Sequence, residues 1–219
     1  MSHPGSLLWQ NNGPGAVLAQ VAVSSFVLCV IGTGIYKVWD GSFSFFAWHP
    51  ILVTLGLFCL IQSILVVQPT KTPAEKQAGL NWHKTIVLYL GLPLITLGAW
   101  VVWYLHDLPG QKHFISWHGM LGCAIIVLIW TQAAFGATTV YWKSYFYGTE
   151  SRAKAMWKYH RMFGYTLCSL LMAELLLAFW EVKWMYRTGG FVLVVLSTVT
   201  MLLTAYGVAT RVQTSKWGF

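Results

Sequence analysis

HPILVTLGLFCLIQSILVV, His49 to Val67, contains no Asp, Glu, Lys or Arg. A mostly apolar run of about 20 residues is long enough to cross the ~30 Å hydrocarbon core of a bilayer as an α-helix. Five more stretches read the same way: Ala16 to Tyr36, His83 to Leu105, Trp117 to Tyr141, His160 to Trp180 and Gly189 to Ala209. The interruptions carry turn and polar signals, including Asp40-Gly41, Gln68-Pro69-Thr70, Asp107-Leu108-Pro109-Gly110 and Gly148-Thr149-Glu150-Ser151. The expected fold is therefore all-α, an integral membrane six-helix transmembrane bundle over residues 16–210. Pro93 lies inside the third span, where neighbouring helices tolerate it as a kink.

Composition agrees with a chain whose solvent is lipid. Charged residues make up 9%, hydrophobic residues 57%, and the mean hydropathy is +0.59, whereas soluble domains are roughly 25% charged. A net charge of +8 does not indicate nucleic acid, because the basic residues sit in the short interruptions, where membrane topology accounts for them. Cys29, Cys59, Cys123 and Cys168 fall inside apolar runs with no CxxC spacing. They read as small buried hydrophobes rather than disulfides or thiolate ligands. Residues 1–15, rich in Gly, Pro and Asn and without Lys or Arg, lack the basic start of a secretory signal and are expected to be a disordered tail.

Six spans put both termini on one side. The segments sharing that side carry Lys71, Lys76, Lys84, Lys143, Arg152, Lys154, Lys158, Arg161, Arg211 and Lys216, against Lys37, Lys112, Lys183 and Arg187 on the other. The positive-inside rule then places both termini, including the tail at 211–219, in the cytoplasm. Trp48, Trp82, Trp103, Trp117, Trp142 and Trp180 crowd the span ends, as expected of interfacial aromatic belts.

Of seven histidines, His3 lies in the tail and His106 and His113 in the third loop. The remaining four, His49, His83, His118 and His160, each open a span. Because consecutive spans alternate in direction, His49 and His118 belong at the non-cytoplasmic end and His83 and His160 at the cytoplasmic end. A bis-imidazole haem needs two neutral histidines on facing helices with a flat apolar slot between them, and a bundle builds such slots in its core. The pattern supplies that arrangement twice, so two b-type haems per chain are expected. Gly56, Gly122 and Gly164 recur on the histidine faces, where they give a macrocycle clearance or let helices pack closely. Glu174 is the carboxylate deep in a span, and burial in hydrocarbon demands a partner for it. The alternative is a small transporter or channel whose histidines line a polar path.

The segments Ser44-Phe45-Phe46-Ala47-Trp48-His49-Pro50, Trp82-His83-Lys84, Ser116-Trp117-His118-Gly119 and Tyr159-His160-Arg161, with histidines 34, 35 and 42 residues apart, resemble the cytochrome b561 family. The short chain and the FxWHP form look most like its small "domain-containing protein 2" branch. The resemblance implies a transmembrane oxidoreductase, commonly a homodimer. Such a protein takes electrons from a cytoplasmic ascorbate-like donor and delivers them to monodehydroascorbate or a ferric chelate across an endomembrane (ER, vesicle or vacuole) or the plasma membrane. It also implies axial ligation by the pairs His49/His118 and His83/His160. The substrate motifs differ. Ser63 to Gln68 has no arginine where ascorbate-using members end the second span with one, Asn81 stands two before His83 where they carry a lysine, and His113 to His118 replaces their SLHSW segment.

On the cytoplasmic side Lys71, Lys76, Lys84, Lys154, Lys158 and Arg161 form a cluster suited to an anionic reductant or haem propionates. Lys84 and Arg161, each directly following a histidine, are placed for propionates, and Lys76, Lys154 and Lys158 for the donor. On the far side His106, Lys112 and His113 are candidates for binding an anion or ferric chelate.

Overall fold

A computed structural model describes residues 7, 14–68, 70–108, 110 and 112–216. Among the described residues the chain is helical, with six helices long and apolar enough to span a membrane. They are α1 (Pro14–Trp39), α2 (Trp48–Leu65), α3 (Pro73–Asp107), α4 (Trp117–Val140), α5 (Trp157–Glu181) and α6 (Tyr186–Ala209). Two short helices, Lys143–Tyr147 and Glu150–Ala155, fill the connection between α4 and α5. The protein is multi-pass, as its hydropathy requires. Most of the proposed N-terminal tail, residues 1–6 and 8–13, lies outside the described residues, whereas Pro14 and Gly15 are already helical.

Local chemistry sets several boundaries. α3 starts at Pro73, well before the apolar run, because Thr72 and Glu75 form a capping box: Glu75 N donates to Thr72 Oγ1 at 3.2 Å and Glu75 Oε2 accepts from Thr72 N at 3.4 Å. Such a box satisfies two otherwise orphaned donors, and Pro at the first helical position adds pre-set φ. His83 is consequently about three turns inside α3 rather than at its start, a correction to the expectation that each of the four opens a helix. Ser116 caps α4 through a 3.0 Å bond from Gly119 N. A π-helical turn, Val87–Gly91, stands just ahead of Pro93, whose ring and missing N–H disrupt a regular ladder. At Gly190 (φ 62°, ψ −159°) the first turn of α6 breaks from the rest, a backbone state that glycine adopts without penalty.

Each helix packs on its sequence neighbours, and α6 returns to pack on α1. Lipid offers no hydrophobic drive for this, so close packing and polar contacts carry it. Small residues permit the approach: a Cβ on Gly207 would meet Ala19 N at 2.6 Å, and one on Gly56 would meet Ile95 N at 3.0 Å. Gln20 and Gln62 exchange side-chain hydrogen bonds of 2.7 and 2.9 Å between α1 and α2, a contact worth on the order of 1 kcal/mol in a membrane. Phe26 of α1 meets Phe179 of α5 at 5.6 Å between centroids. Beyond α6, buried Arg211 reaches back to the carbonyls of Leu65 (3.2 Å) and Gln68. The segment after α6 and the α2–α3 connection therefore share one end of the bundle. Leu28, Val127 and Leu196, all exposed, face outward where lipid lies.

Candidate functional site

The bundle brings the four span histidines together in two pairs. His49, in the first turn of α2, faces His118, in the first turn of α4, with ring centroids 5.9 Å apart and planes at 71°. Toward the other end His83 of α3 faces His160 of α5 at 6.2 Å and 90°. Each ring is half-buried.

Second contacts fix the rings. His49 Nδ1 lies 2.8 Å from the Gly98 carbonyl of α3. That reach depends on glycine, since a Cβ at position 98 would stand 3.1 Å from Val53 N and 3.3 Å from His49 O. His83 Nδ1 lies 3.0 Å from the Ser63 carbonyl near the end of α2. His118 Nδ1 contacts the carboxylate of Glu174 on α5, whose side chain is 5% exposed. Its backbone N donates to Glu181 Oε2 at 3.0 Å. With Nδ1 engaged in these three rings, Nε2 is the nitrogen left for a further partner. His160 is held differently: Gln132 Nε2 donates to its backbone carbonyl at 2.6 Å, while its Nδ1, like that of His118, is buried without a hydrogen bond among the described residues, and it lacks the carboxylate contact that His118 has.

The glycines divide by role. A Cβ on Gly122 would meet Glu174 Oε1 at 3.1 Å, and one on Gly164 would meet Gln132 Nε2 at 3.0 Å. Both make room for side chains that hold a histidine. Gly56 packs against Ile95 and the Gly91 carbonyl, so the α2–α3 approach accounts for it. Sequence patterning does not single out Gly136, Gln132, Gly98 or Ser63. Gly136 opens a Gly-Ala-Thr-Thr stretch in α4, and its position opposite His160 depends on how α4 is rotated.

The loop residues are more scattered. Lys84 Nζ sits 5.5 Å over the Tyr141 ring and Lys158 Nζ 5.0 Å over Tyr159, while Arg161 follows His160 on α5. Lys76 is exposed on the polar first turns of α3. Lys154 and Lys143 pair with Glu150 at 2.9 and 3.0 Å, which compensates part of the charge expected to attract an anion. His106 falls in the last turn of α3 and not in the loop where the sequence placed it, because the helix runs on to Asp107; from there it lies 5.5 Å from His113 of the α3–α4 loop, which stacks on Trp103 at 4.3 Å and has Nε2 2.9 Å from Asp107 Oδ1. Lys112 is exposed beside them.

The model of the family described as eukaryotic cytochrome b561 matches residues 48–186. Among curated proteins, the chain is 28% identical over 140 residues to the Lysosomal membrane ascorbate-dependent ferrireductase CYB561A3 of Bos taurus, covering 62% of this chain and 51% of that protein. It is 26% identical over 104 residues to the Transmembrane reductase CYB561D2 of Bos taurus, covering 45% and 46%. The aligned region thus spans about half the length of either relative.

Proposed function

Because the chain belongs to the eukaryotic cytochrome b561 family, we propose that it is a transmembrane reductase holding two b-type haems, one on His49 and His118 and one on His83 and His160. The observation that carries the reading is the pair of facing imidazoles at each of two depths in the bundle, 5.9 and 6.2 Å between centroids. One metal ion bound to a nitrogen of each ring, at about 2 Å per bond with each nitrogen roughly 1 Å from its ring centre, accommodates such separations. The donor set fits as well, since a neutral imidazole held through Nδ1, as at His49 and His83, would offer Nε2 to the iron.

When bound, a b-type haem supplies reversible one-electron transfer. The chain's residues do the rest. Gly98, Ser63 and Glu174 orient three of the ligating rings, and Gln132 fixes the backbone of the fourth. Lys84 and Arg161 stand beside His83 and His160 to neutralise propionates. Glycine at 136 keeps a side chain off the His160 ring, glycine at 122 and 164 leaves room for Glu174 and Gln132, and the apolar bundle excludes water.

By the positive-inside rule the His83/His160 pair faces the cytoplasm. Lys76, Lys154 and Lys158 then meet an ascorbate-like anionic donor, and His106 and His113 meet the acceptor, monodehydroascorbate or a ferric chelate. A homodimer in an endomembrane or the plasma membrane, with both termini cytoplasmic, completes the reading. The test is electron transfer in sealed vesicles of known orientation: ascorbate loaded on the cytoplasmic side should reduce an impermeant ferric chelate on the other. Vesicles containing the protein that reduce the chelate no faster than empty ones would refute it.

A further inference from the structure

We propose that a cleft at the His49/His118 end of the bundle, lined by Lys37 and Arg187, is a further site on the acceptor face. It takes a small carboxylate-bearing anion such as a ferric chelate and seats it one phenyl ring away from His49. The inference rests on the reading of the paired histidines as haem ligands and adds a site separate from His106 and His113.

Two connections build the cleft. Lys37 lies in the last turn of α1, and Ser42, Ser44 and Phe46 follow in the α1–α2 connection. Val182 and Trp184 of the α5–α6 connection and Arg187 in the first turn of α6 close the other side, around a space of about 390 Å3. A few placed polar groups on apolar walls give small-ligand sites of such size their selectivity. Here the walls are Phe46 and Trp184, and both charged groups are cations. Lys37 Nζ sits 5.9 Å over the Trp184 ring, and a guanidinium such as that of Arg187 offers paired N–H donors that match a carboxylate.

Among the described residues no carboxylate lines the cleft, and those nearby are engaged. Asp40, which lies in the field of Lys37, accepts from Ser42 N at 2.9 Å and Ser42 Oγ at 2.6 Å. Glu181, one residue before Val182, accepts from His118 N at 3.0 Å. Neither Lys37 nor Arg187 forms an ion pair among the described residues. The His106/His113 patch differs, since Asp107 stands 2.9 Å from His113 there, and an anion gains less where a carboxylate is already present.

The cleft also adjoins the histidines. Phe46 packs on His49 with ring centroids 5.8 Å apart, whereas the preceding Phe45 turns to Tyr104 of α3 at 6.0 Å. An anion held between Lys37 and Arg187 is thus separated from the His49 ring by Phe46 alone. The chelated ferric iron gains one electron and becomes ferrous, the reduced haem at this site supplies it, and no covalent bond forms or breaks.

The experiment is a calorimetric titration of the purified holoprotein with gallium(III)–EDTA, a redox-inert anion with the charge of ferric EDTA. It compares the unaltered chain with Lys37→Gln, Arg187→Gln and Lys183→Gln, with haem content confirming that each variant folds. Binding should saturate and weaken with salt. Lys37→Gln and Arg187→Gln should each weaken it on the order of tenfold, and Lys183→Gln, in the same connection but outside the cleft, should leave it in place. Gallium EDTA should also slow re-oxidation of the pre-reduced protein by ferric EDTA. An absence of saturable binding, or binding indifferent to both Lys37 and Arg187, overturns the proposal. Equal weakening in Lys183→Gln, the mark of diffuse surface charge, overturns it as well, and so does binding that leaves re-oxidation unslowed. A chain without haem that still binds the anion through Lys37 and Arg187 would instead defeat the reading of the histidines and leave the anion site standing.

Discussion

Gly136 of α4 lies directly against the His160 ring, so that a Cβ at position 136 would come within 2.8 Å of Cε1. Real Cβ contacts are not that short, and the ring would have to swing away from His83. Gly136→Ala should therefore weaken haem retention at the His83/His160 site, and Gly136→Val should abolish it, with the His49/His118 haem retained. Haem content and the reduced absorption spectrum of the two purified variants check this. Full retention of both haems in Gly136→Val would show that His160 tolerates displacement or has no ligand role.

The pairing itself predicts a pattern among single substitutions. His83→Ala and His160→Ala should each lose the same haem, and His49→Ala and His118→Ala the other, because each iron needs both axial ligands. EPR of the four variants should sort them into these two groups. If His49→Ala and His83→Ala lost the same haem, the assignment would be wrong.

Much of this arrangement is legible in the amino-acid sequence. Six apolar runs correspond to six spanning helices, and the alternation of their directions is enough to pair His49 with His118 and His83 with His160. Hydropathy does not reveal that α3 starts ten residues before His83, because Thr72 and Glu75 act through local hydrogen bonds in a polar segment. Nor does it reveal which partner faces Glu174, since that depends on the rotation of α5 relative to α4. The glycines show the same limit. Spacing puts Gly122 and Gly164 near the histidines, but only packing distinguishes a residue that clears space for Glu174 or Gln132 from Gly56, which lets two helix backbones approach.

Of the proposed donor-side lysines, Lys76 is exposed, while Lys154 is paired with Glu150 at 2.9 Å. An anion within a Debye length of about 8 Å at physiological salt gains more from a lysine whose charge no carboxylate offsets. Lys76→Gln should slow haem reduction by ascorbate severalfold and flatten its salt dependence, and Lys154→Gln should do so less. Stopped-flow rates with ascorbate and with a neutral reductant make the comparison. An equal loss with both donors would point to general damage rather than to binding.

Arg211 ties the end of α6 to α2 through the carbonyls of Leu65 and Gln68. Arg211→Leu would leave two buried carbonyls without this donor, at a cost of about 2 kcal/mol. The expected outcome is a lower thermal unfolding temperature in detergent with unchanged haem content. Loss of haem together with stability would mean that Arg211 supports the cofactor site as well.

Two haems on two histidine pairs can be tested most directly by counting haem against polypeptide in the purified protein. The expected result is two haems b per chain, low-spin and reducible. A stoichiometry of one, or a folded colourless protein, would contradict that assignment and favour a histidine-lined transport path.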